Sequence, residues 1–183
     1  MSDLTSDTVT LVVGVVGAGA MGAGIAQVAA AHGHTVVLAD AQPASIARAR
    51  SGHVKALARD VEKGRLTREQ ADAVLARITY VDGVSPEQLR AFAPCGFVIE
   101  AIVEQLAAKQ QLLRALDAIV ASTAILASNT SSLSIAALAG SCTNTERVVG
   151  VHFFNPAPIM PLVEIIPAIT TSAAVVADAR ALA

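Results

Sequence analysis

Several polar side chains in this sequence have the types and spacing that proton transfer to and from a hydroxyl group requires. They are Glu104, the run Asn129-Thr130-Ser131-Ser132, the run His152-Phe153-Phe154-Asn155-Pro156, and Glu164. A histidine takes a proton near neutral pH, and a nearby carboxylate stabilises the imidazolium that forms. His152 and Glu164 are therefore the candidate base and its partner, and Ser131 and Asn155 are candidates to hydrogen-bond a substrate oxygen.

A glycine motif near the start of the chain points to a dinucleotide. The run Gly17-Ala18-Gly19-Ala20-Met21-Gly22 has the spacing G-x-G-x-x-G. The first glycine would allow a sharp turn, the second would let the backbone approach a pyrophosphate, and the third would let a helix pack close to the strand. An ordinary tight turn with a capping aspartate is the alternative interpretation.

Asp40, at the end of the second predicted strand, refines the prediction. Its carboxylate would accept hydrogen bonds from ribose hydroxyls and would repel a 2′-phosphate, so NAD is favoured over NADP. A histidine and carboxylate beside a nicotinamide suit the oxidation of an alcohol, because the base takes the hydroxyl proton as hydride leaves the carbon.

These motifs lie where predicted strands end. Strands are predicted over Val9–Val16, Thr35–Ala39, Ile78–Val81, Phe97–Ile102, Ala124–Ser128, Val148–His152 and Leu162–Ile166. Helices are predicted over Ala20–His32, from Pro43, from the capping box Thr67–Gln70 to about Arg77, from Pro86, over Glu104–Ala121, from a cap at Ser132 or Ser134 through Leu138, and from Ser172 to Ala183.

This alternation predicts an α/β fold with a doubly wound, mostly parallel Rossmann-type sheet, whose ligands bind at the carboxyl ends of the strands. The helical pair between Ala44 and Arg77 is longer than one crossover needs. It is either a packed insertion or an extension whose basic residues reach a large substrate.

Composition argues against several other functions. The 183 residues carry a net charge of −2 and are 54% hydrophobic but only 3% aromatic, so we expect no nucleic-acid partner. Cys95 and Cys142 lack metal-ligand spacing, which predicts inert thiols in a reducing cytoplasm and no metal site. His32, His34 and His53 are interpreted as solvated or capping residues.

The uncharged stretch Thr8–Ala31 is long enough to resemble a membrane span or a signal peptide. It contains five glycines, however, and follows Asp3 and Asp7 with no Lys or Arg before it. A buried strand, a tight turn and a buried helix explain the stretch better, so no membrane partner is expected.

The chain resembles the NAD-binding domain of the L-3-hydroxyacyl-CoA dehydrogenases, and among them the bacterial 3-hydroxybutyryl-CoA enzymes. The resemblance rests on GAGAMGAGIAQVAAAHGHTV, VIEAIVEQLAAKQQLL, ASNTSSLSI and GVHFFNPAPIMPLVEII, in that order. The glycine motif is shared with other hydroxyacid dehydrogenases, whereas the S-N-T-S-S and H-F-F-N-P motifs are more specific.

The resemblance implies NAD-dependent oxidation of (S)-3-hydroxyacyl-CoA to 3-oxoacyl-CoA, in β-oxidation of fatty acids or related acid catabolism. It makes His152 the general base, Glu164 the residue that holds it, and Ser131 a catalytic contact to substrate and coenzyme. The implied coenzyme contacts are Gly17, Gly19, Ala20, Met21, Gly22, Asp40, Ala101, Glu104, Lys109, Asn129, Ser131 and Asn155. The implied acyl-CoA contacts are Ser131, Asn155 and Lys63, while Ala56 replaces a serine with which some relatives are expected to contact CoA.

Family members continue with an all-helical domain that forms a homodimer and supplies a further active-site asparagine. Residues 1–183 are therefore expected to be one NAD-binding domain without that dimerisation domain. On its own, this NAD-binding domain is expected to bind the coenzyme but to catalyse the reaction only feebly. Two alternatives stay open: a dehydrogenase of a sugar acid such as gulonate, which shares these motifs, and a nucleotide-binding fragment without catalysis.

Overall fold

A seven-stranded sheet forms the centre of the fold in the computed structural model, which describes residues 10–183. The strands are β1 (Val12–Val16), β2 (Thr35–Asp40), β3 (Ile78–Asp82), β4 (Phe97–Glu100), β5 (Ile125–Ser128), β6 (Val148–Phe153) and β7 (Val163–Pro167). Their order across the sheet is β3-β2-β1-β4-β5-β6-β7, and every neighbouring pair is parallel except β6 and β7. The predicted doubly wound, mostly parallel sheet is confirmed. Because β1 lies between β2 and β4, a crevice opens at the carboxyl end of β1.

Helices cover both faces of this sheet. They are α1 (Ala20–Ala31), α2 (Pro43–Glu62), α3 (Arg68–Ala76), α4 (Pro86–Leu89), α5 (Leu106–Asp117), α6 (Ile135–Ala139) and α7 (Ala173–Leu182). Val13 and Val15 pack on one face in a core cluster with Ile25 of α1. Val16 packs on the other face in a cluster with Leu113 of α5. Strand β1 is thus buried on both sides, as its β-branched sequence predicts.

Three predicted helix caps are present. Thr67 and Gln70 form a capping box at the start of α3, in which each side chain accepts a hydrogen bond from the other residue's backbone N–H. Ser172 caps α7 by accepting from Val175. Of the two candidates for α6, Ser134 is the cap. Ser132 does not cap this helix, and its hydroxyl bonds instead to the carboxylate of Glu104.

Strand β4 and helix α5 are shorter than predicted: α5 ends at Asp117 rather than Ala121, and the facing ends of the two elements are shortened for one shared reason. Strand β4 ends at Glu100 and α5 begins at Leu106. Between them, the N–H of Ile102 donates to the carboxylate of Glu100, and Glu104 accepts hydrogen bonds from side chains that follow β5. These bonds hold residues 101–105 as a loop. At the other end of the sheet, Thr10 and Leu11 precede β1, and Val9 lies outside the described residues.

The interpretation of the histidines is correct for His32 and wrong for the other two. His32 is the exposed C-cap residue of α1 and its ring bonds to the carbonyl of Val28. His34 is 6% exposed and His53 is 3% exposed, because each ring meets partners from distant parts of the chain.

Both cysteines are buried free thiols. Burial raises the pKa of Cys95 to about 12, which favours the predicted unreactive thiol over a nucleophile. Within residues 10–183, no helix combines the length and the apolar character that crossing a bilayer demands.

Candidate active site

The glycine motif forms the turn between β1 and α1. Gly17 has φ +106, a conformation that favours glycine, and its N–H donates to the carbonyl of Ala39 at 2.7 Å. A Cβ on Gly22 would collide with the carbonyl oxygen of Gly17, so the helix can lie this close to the strand only with glycine there. A Cβ on Gly19 would meet nothing within 4 Å. The turn therefore leaves open space at the N-terminus of α1, where a diphosphate fits.

Asp40 lies beside this turn, with both carboxylate oxygens held by backbone. One oxygen accepts from the N–H of Ala18 at 2.7 Å, and the other accepts from the N–H of Gln42 at 2.7 Å. The carboxylate also lines a cavity of about 530 Å³, which we call the glycine-turn cavity; it is bounded by Gly17, Gly19, Asp40, Ile102 and Leu112 among others. Its mostly apolar wall and fixed carboxylate suit an adenosine with free ribose hydroxyls.

A second cavity, of about 330 Å³, opens on the other side of the same crevice. We call it the histidine cavity. Its walls bring together eight residues that the sequence predicts to be functional: Met21, Ala101, Glu104, Lys109, Asn129, Ser131, His152 and Asn155. Lys63 lines neither cavity, since it is the exposed C-cap residue of α2.

His152 and Glu164 are direct cross-strand neighbours in the antiparallel pair β6–β7. Nδ1 of His152 lies 2.9 Å from Oε2 of Glu164. The carboxylate accepts the Nδ1 proton, so the neutral imidazole carries its lone pair on Nε2. That nitrogen makes no hydrogen bond to any residue from 10 to 183 and is free to take a proton. The Phe154 ring packs beside the imidazole, with ring centroids 4.7 Å apart.

Asn129 links the two loops that carry the remaining polar groups. Its side-chain oxygen accepts from the N–H of Phe153, next to the base, at 2.8 Å. Ser131 is exposed, and in the described part of the chain its hydroxyl has no hydrogen-bond partner. Ser131 is therefore available to a ligand in the histidine cavity.

A buried ion pair supports the floor of the histidine cavity, and the sequence prediction missed half of it. Glu100 is 0% exposed and Lys109 is 1% exposed, and their charged atoms lie 2.6 Å apart. Glu100 also accepts from the hydroxyl of Ser128 at 2.6 Å and from the N–H of Ile102 at 2.7 Å. A single charged residue at the end of the apolar run Phe97–Ile99 was the signal available in the sequence.

Lys109 extends this pair to the cavity wall. Its ammonium group has three acceptors: Glu100, the carbonyl of Ile102 at 3.3 Å and Glu104 at 3.1 Å. Three donors are thereby matched to three acceptors. The geometry makes Lys109 a support for Glu104, and its expected coenzyme contact stays a prediction.

Glu104 in turn holds the loop that contains Ser131. Its carboxylate accepts from the hydroxyls of Thr130 and Ser132, on either side of Ser131. Burial raises the pKa of Glu104, but the hydrogen bonds from Thr130 and Lys109 and the charge of Lys109 outweigh it and lower the pKa overall. Glu104 is therefore an anion at neutral pH, as an acceptor of these bonds must be.

Among residues 10–183, no three His, Cys, Asp or Glu side chains are arranged to hold a metal ion. The chemistry that this arrangement supports is proton transfer by the imidazole, beside a site that accommodates a dinucleotide.

Comparison with known proteins gives a consistent result. Residues 12–183 match the family profile described as 3-hydroxyacyl-CoA dehydrogenase, NAD binding domain. The chain is 43% identical over 164 residues to the 3-hydroxyadipyl-CoA dehydrogenase of Escherichia coli, which covers 90% of this chain and 34% of that protein. It is 42% identical to the probable 3-hydroxybutyryl-CoA dehydrogenase of Bacillus subtilis, over 92% of this chain and 57% of that protein.

A solved structure shows the same fold. The crystal structure of (S)-3-hydroxybutyryl-CoA dehydrogenase from Ralstonia eutropha superposes with a TM-score of 0.88 at 37% identity, covering 94% of this chain and 61% of that one. The chain thus spans between about a third and three fifths of the length of these relatives.

Proposed function

The chain belongs to the 3-hydroxyacyl-CoA dehydrogenase family, whose NAD-binding domain it contains, and we propose that its protein oxidises (S)-3-hydroxyacyl-CoA to 3-oxoacyl-CoA. The observation that carries this proposal is the 2.9 Å contact between His152 and Glu164 beside the crevice of the glycine turn. It supplies a base with a free Nε2 at the place where the coenzyme and an alcohol would meet.

The proposed roles follow from the contacts of each side chain. NAD, when bound at the glycine turn, supplies the acceptor for the hydride of carbon 3. His152 accepts the proton of the 3-hydroxyl at Nε2, and Glu164 stabilises the resulting imidazolium through Nδ1. The unbonded hydroxyl of Ser131 is the candidate donor to the substrate oxygen. Asn155, exposed at the mouth of the same cavity, is the candidate contact to the nicotinamide amide.

An assay of the intact protein tests the proposal directly. We expect oxidation of (S)-3-hydroxybutyryl-CoA with NAD, followed at the absorbance of NADH, and much weaker activity with NADP because Asp40 repels the 2′-phosphate. Gulonate serves as the comparison substrate. Oxidation of gulonate with no activity toward the acyl-CoA would contradict the proposal and favour a sugar-acid dehydrogenase.

Gly19→Ala tests the coenzyme site without disturbing the fold. The added methyl group meets no atom of the protein within 4 Å, but it enters the space where the diphosphate would lie. We expect the Kd for NADH, measured by fluorescence titration, to rise by about tenfold or more, with the melting temperature unchanged. Gly52→Ala is the control, since its Cβ also meets nothing within 4 Å but lies in α2. Equal Kd values for both variants would show that the diphosphate binds elsewhere.

Domain organisation and assembly complete the proposal. We propose that residues 1–183 form one NAD-binding domain and that a homodimer forms through the family's helical domain. The free thiols of Cys95 and Cys142 support a reducing compartment such as the cytoplasm. Sedimentation of the intact protein tests the dimer.

Lys63, exposed at the end of α2, is the proposed contact to the CoA moiety. Acyl-CoA KM values for Lys63→Ala test the contact.

A further inference from the structure

A buried histidine of α2 reaches the first turn of the coenzyme helix. His53 is 3% exposed, and its Nε2 lies 2.8 Å from the carbonyl oxygen of Ala23 in α1. Its Nδ1 lies 2.7 Å from the hydroxyl of Tyr80 in β3. One side chain therefore joins α1, α2 and β3 just behind the glycine turn.

The partners of this ring fix its tautomer. The carbonyl of Ala23 can only accept a hydrogen bond, so Nε2 of His53 carries the proton. Nδ1 is then the acceptor, and the hydroxyl of Tyr80 donates to it. Burial lowers the pKa of His53, and the bond to Ala23 offsets this only in part. The lowered pKa keeps the ring neutral at physiological pH. The guanidinium of Arg50 covers the Tyr80 ring at 4.6 Å from its centroid.

The first turn of α1 has few other supports on this side. A groove of about 490 Å³ runs between α1 and α2, and its α1 wall consists largely of the small residues Ala20, Ala23 and Gly24. Such residues offer little surface for packing. On the remaining sides, Gly22 abuts the carbonyl of Gly17, and a Cβ on Gly24 would lie 3.0 Å from Pro158. Toward α2, the hydrogen bond from His53 is the polar contact that holds the turn.

We propose that His53 is a positioning residue for the coenzyme: its Nε2–H, oriented by Tyr80, holds the first turn of α1 where its free N–H groups meet the diphosphate of NAD. This inference rests on NAD binding at the glycine turn, but not on the identity of the oxidised substrate. Without the bond, binding energy would have to restore the position of the turn. The affinity for NADH therefore falls.

Two replacements of His53 separate hydrogen bonding from packing. The amide nitrogen of Gln reaches the position of Nε2 and can still donate to Ala23, whereas the shorter Asn cannot. We expect His53→Asn to raise the Kd for NADH by about tenfold, because the hydrogen bond that ties the first turn of α1 to α2 is lost, and His53→Gln to stay within about twofold of the original protein. The measurement is fluorescence titration of NADH without acyl substrate, alongside melting temperatures.

His32→Ala is the control, because it removes a ring-to-carbonyl bond at the opposite end of the same helix. Its Kd for NADH should not change. Unchanged affinity in His53→Asn, or equal losses in the Asn and Gln variants, would overturn the proposal.

Tyr80→Phe tests the positioning role of His53 even if the His53→Asn variant does not fold. This variant keeps the ring but removes the donor that orients His53. We expect about a threefold rise in the Kd for NADH. An unchanged Kd in Tyr80→Phe would refute the role of Tyr80 and with it the proposed arrangement. Absence of acyl-CoA turnover in the original protein would contradict the proposed function. The Kd values for NADH of the His53 and Tyr80 variants would still test the positioning role.

Discussion

His152→Ala is expected to reduce kcat for (S)-3-hydroxybutyryl-CoA oxidation by about 10²–10⁴-fold, the usual contribution of a general base. The imidazole is held at 2.9 Å by Glu164 and its Nε2 is free. The other carboxylate of the histidine cavity, Glu104, is already bonded to Thr130, Ser132 and Lys109. The Kd for NADH should change little, because the glycine turn does not depend on His152. Steady-state kinetics on the intact protein and NADH titration measure the two effects separately.

Glu164→Gln serves as the graded comparison. The amide keeps a hydrogen-bonding group near Nδ1 but loses the negative charge that stabilises the imidazolium, so kcat should fall less than in His152→Ala. Glu164 is half exposed, which limits the loss through solvent screening. Turnover of His152→Ala within about tenfold of the original protein would rule out the assigned base.

Lys109→Met is expected to lower the free energy of unfolding by about 3–5 kcal/mol. The substitution preserves most of the side-chain volume but leaves Glu100, which is 0% exposed, without its cation. Glu104 loses one of its partners in the same step, so the loop around Ser131 should also be less ordered. Urea denaturation, with the slope of the transition checked for constancy, measures the loss.

A double variant distinguishes a buried charge from poor packing. In Glu100→Gln combined with Lys109→Met no fully buried charge is left unpaired, since the Glu104 carboxylate is partly exposed. The amide can still bond to Ser128 and Ile102. Most of the lost stability should return, since neutral replacement of a buried pair is often tolerated. Arg68→Met is the control, because it removes an exposed i,i+4 pair with Asp72 and should have little measurable effect. Additive losses in the double variant would contradict the explanation.

The parts of the site that could be predicted are those encoded by local patterns. The glycine spacing leaves few interpretations other than a dinucleotide site once a strand precedes it and a helix follows it. The family resemblance and their chemistry predict His152 and Glu164 as partners, and the antiparallel register of β6 and β7 brings them together. The doubly wound, mostly parallel character of the sheet follows similarly from the alternation of strands and helices.

The parts that could not be predicted depend on contacts between distant segments. Glu100 looks like the end of an apolar strand until Lys109 and Ser128 are brought around it. Glu104 resembles a first-turn helix residue, yet its carboxylate binds hydroxyls 26 and 28 residues away. His53 lies on a polar helix, where exposure is the reasonable expectation, and only the approach of Ala23 and Tyr80 buries it.

The pairing of β6 with β7 has a consequence for how this site tolerates change. Because side chains alternate between sheet faces, a slip of one residue in β7 would turn Glu164 away from His152. The connection 154–162 is not part of that register, and Ile159, Met160 and Leu162 within it are exposed. Insertions or deletions among these three exposed residues can therefore change the loop while Phe154, Asn155 and the acid–base pair stay in place. Single-residue insertions between Ile159 and Leu162 should therefore leave most of the turnover, whereas single-residue insertions inside β7 should lower kcat at least as much as Glu164→Gln does.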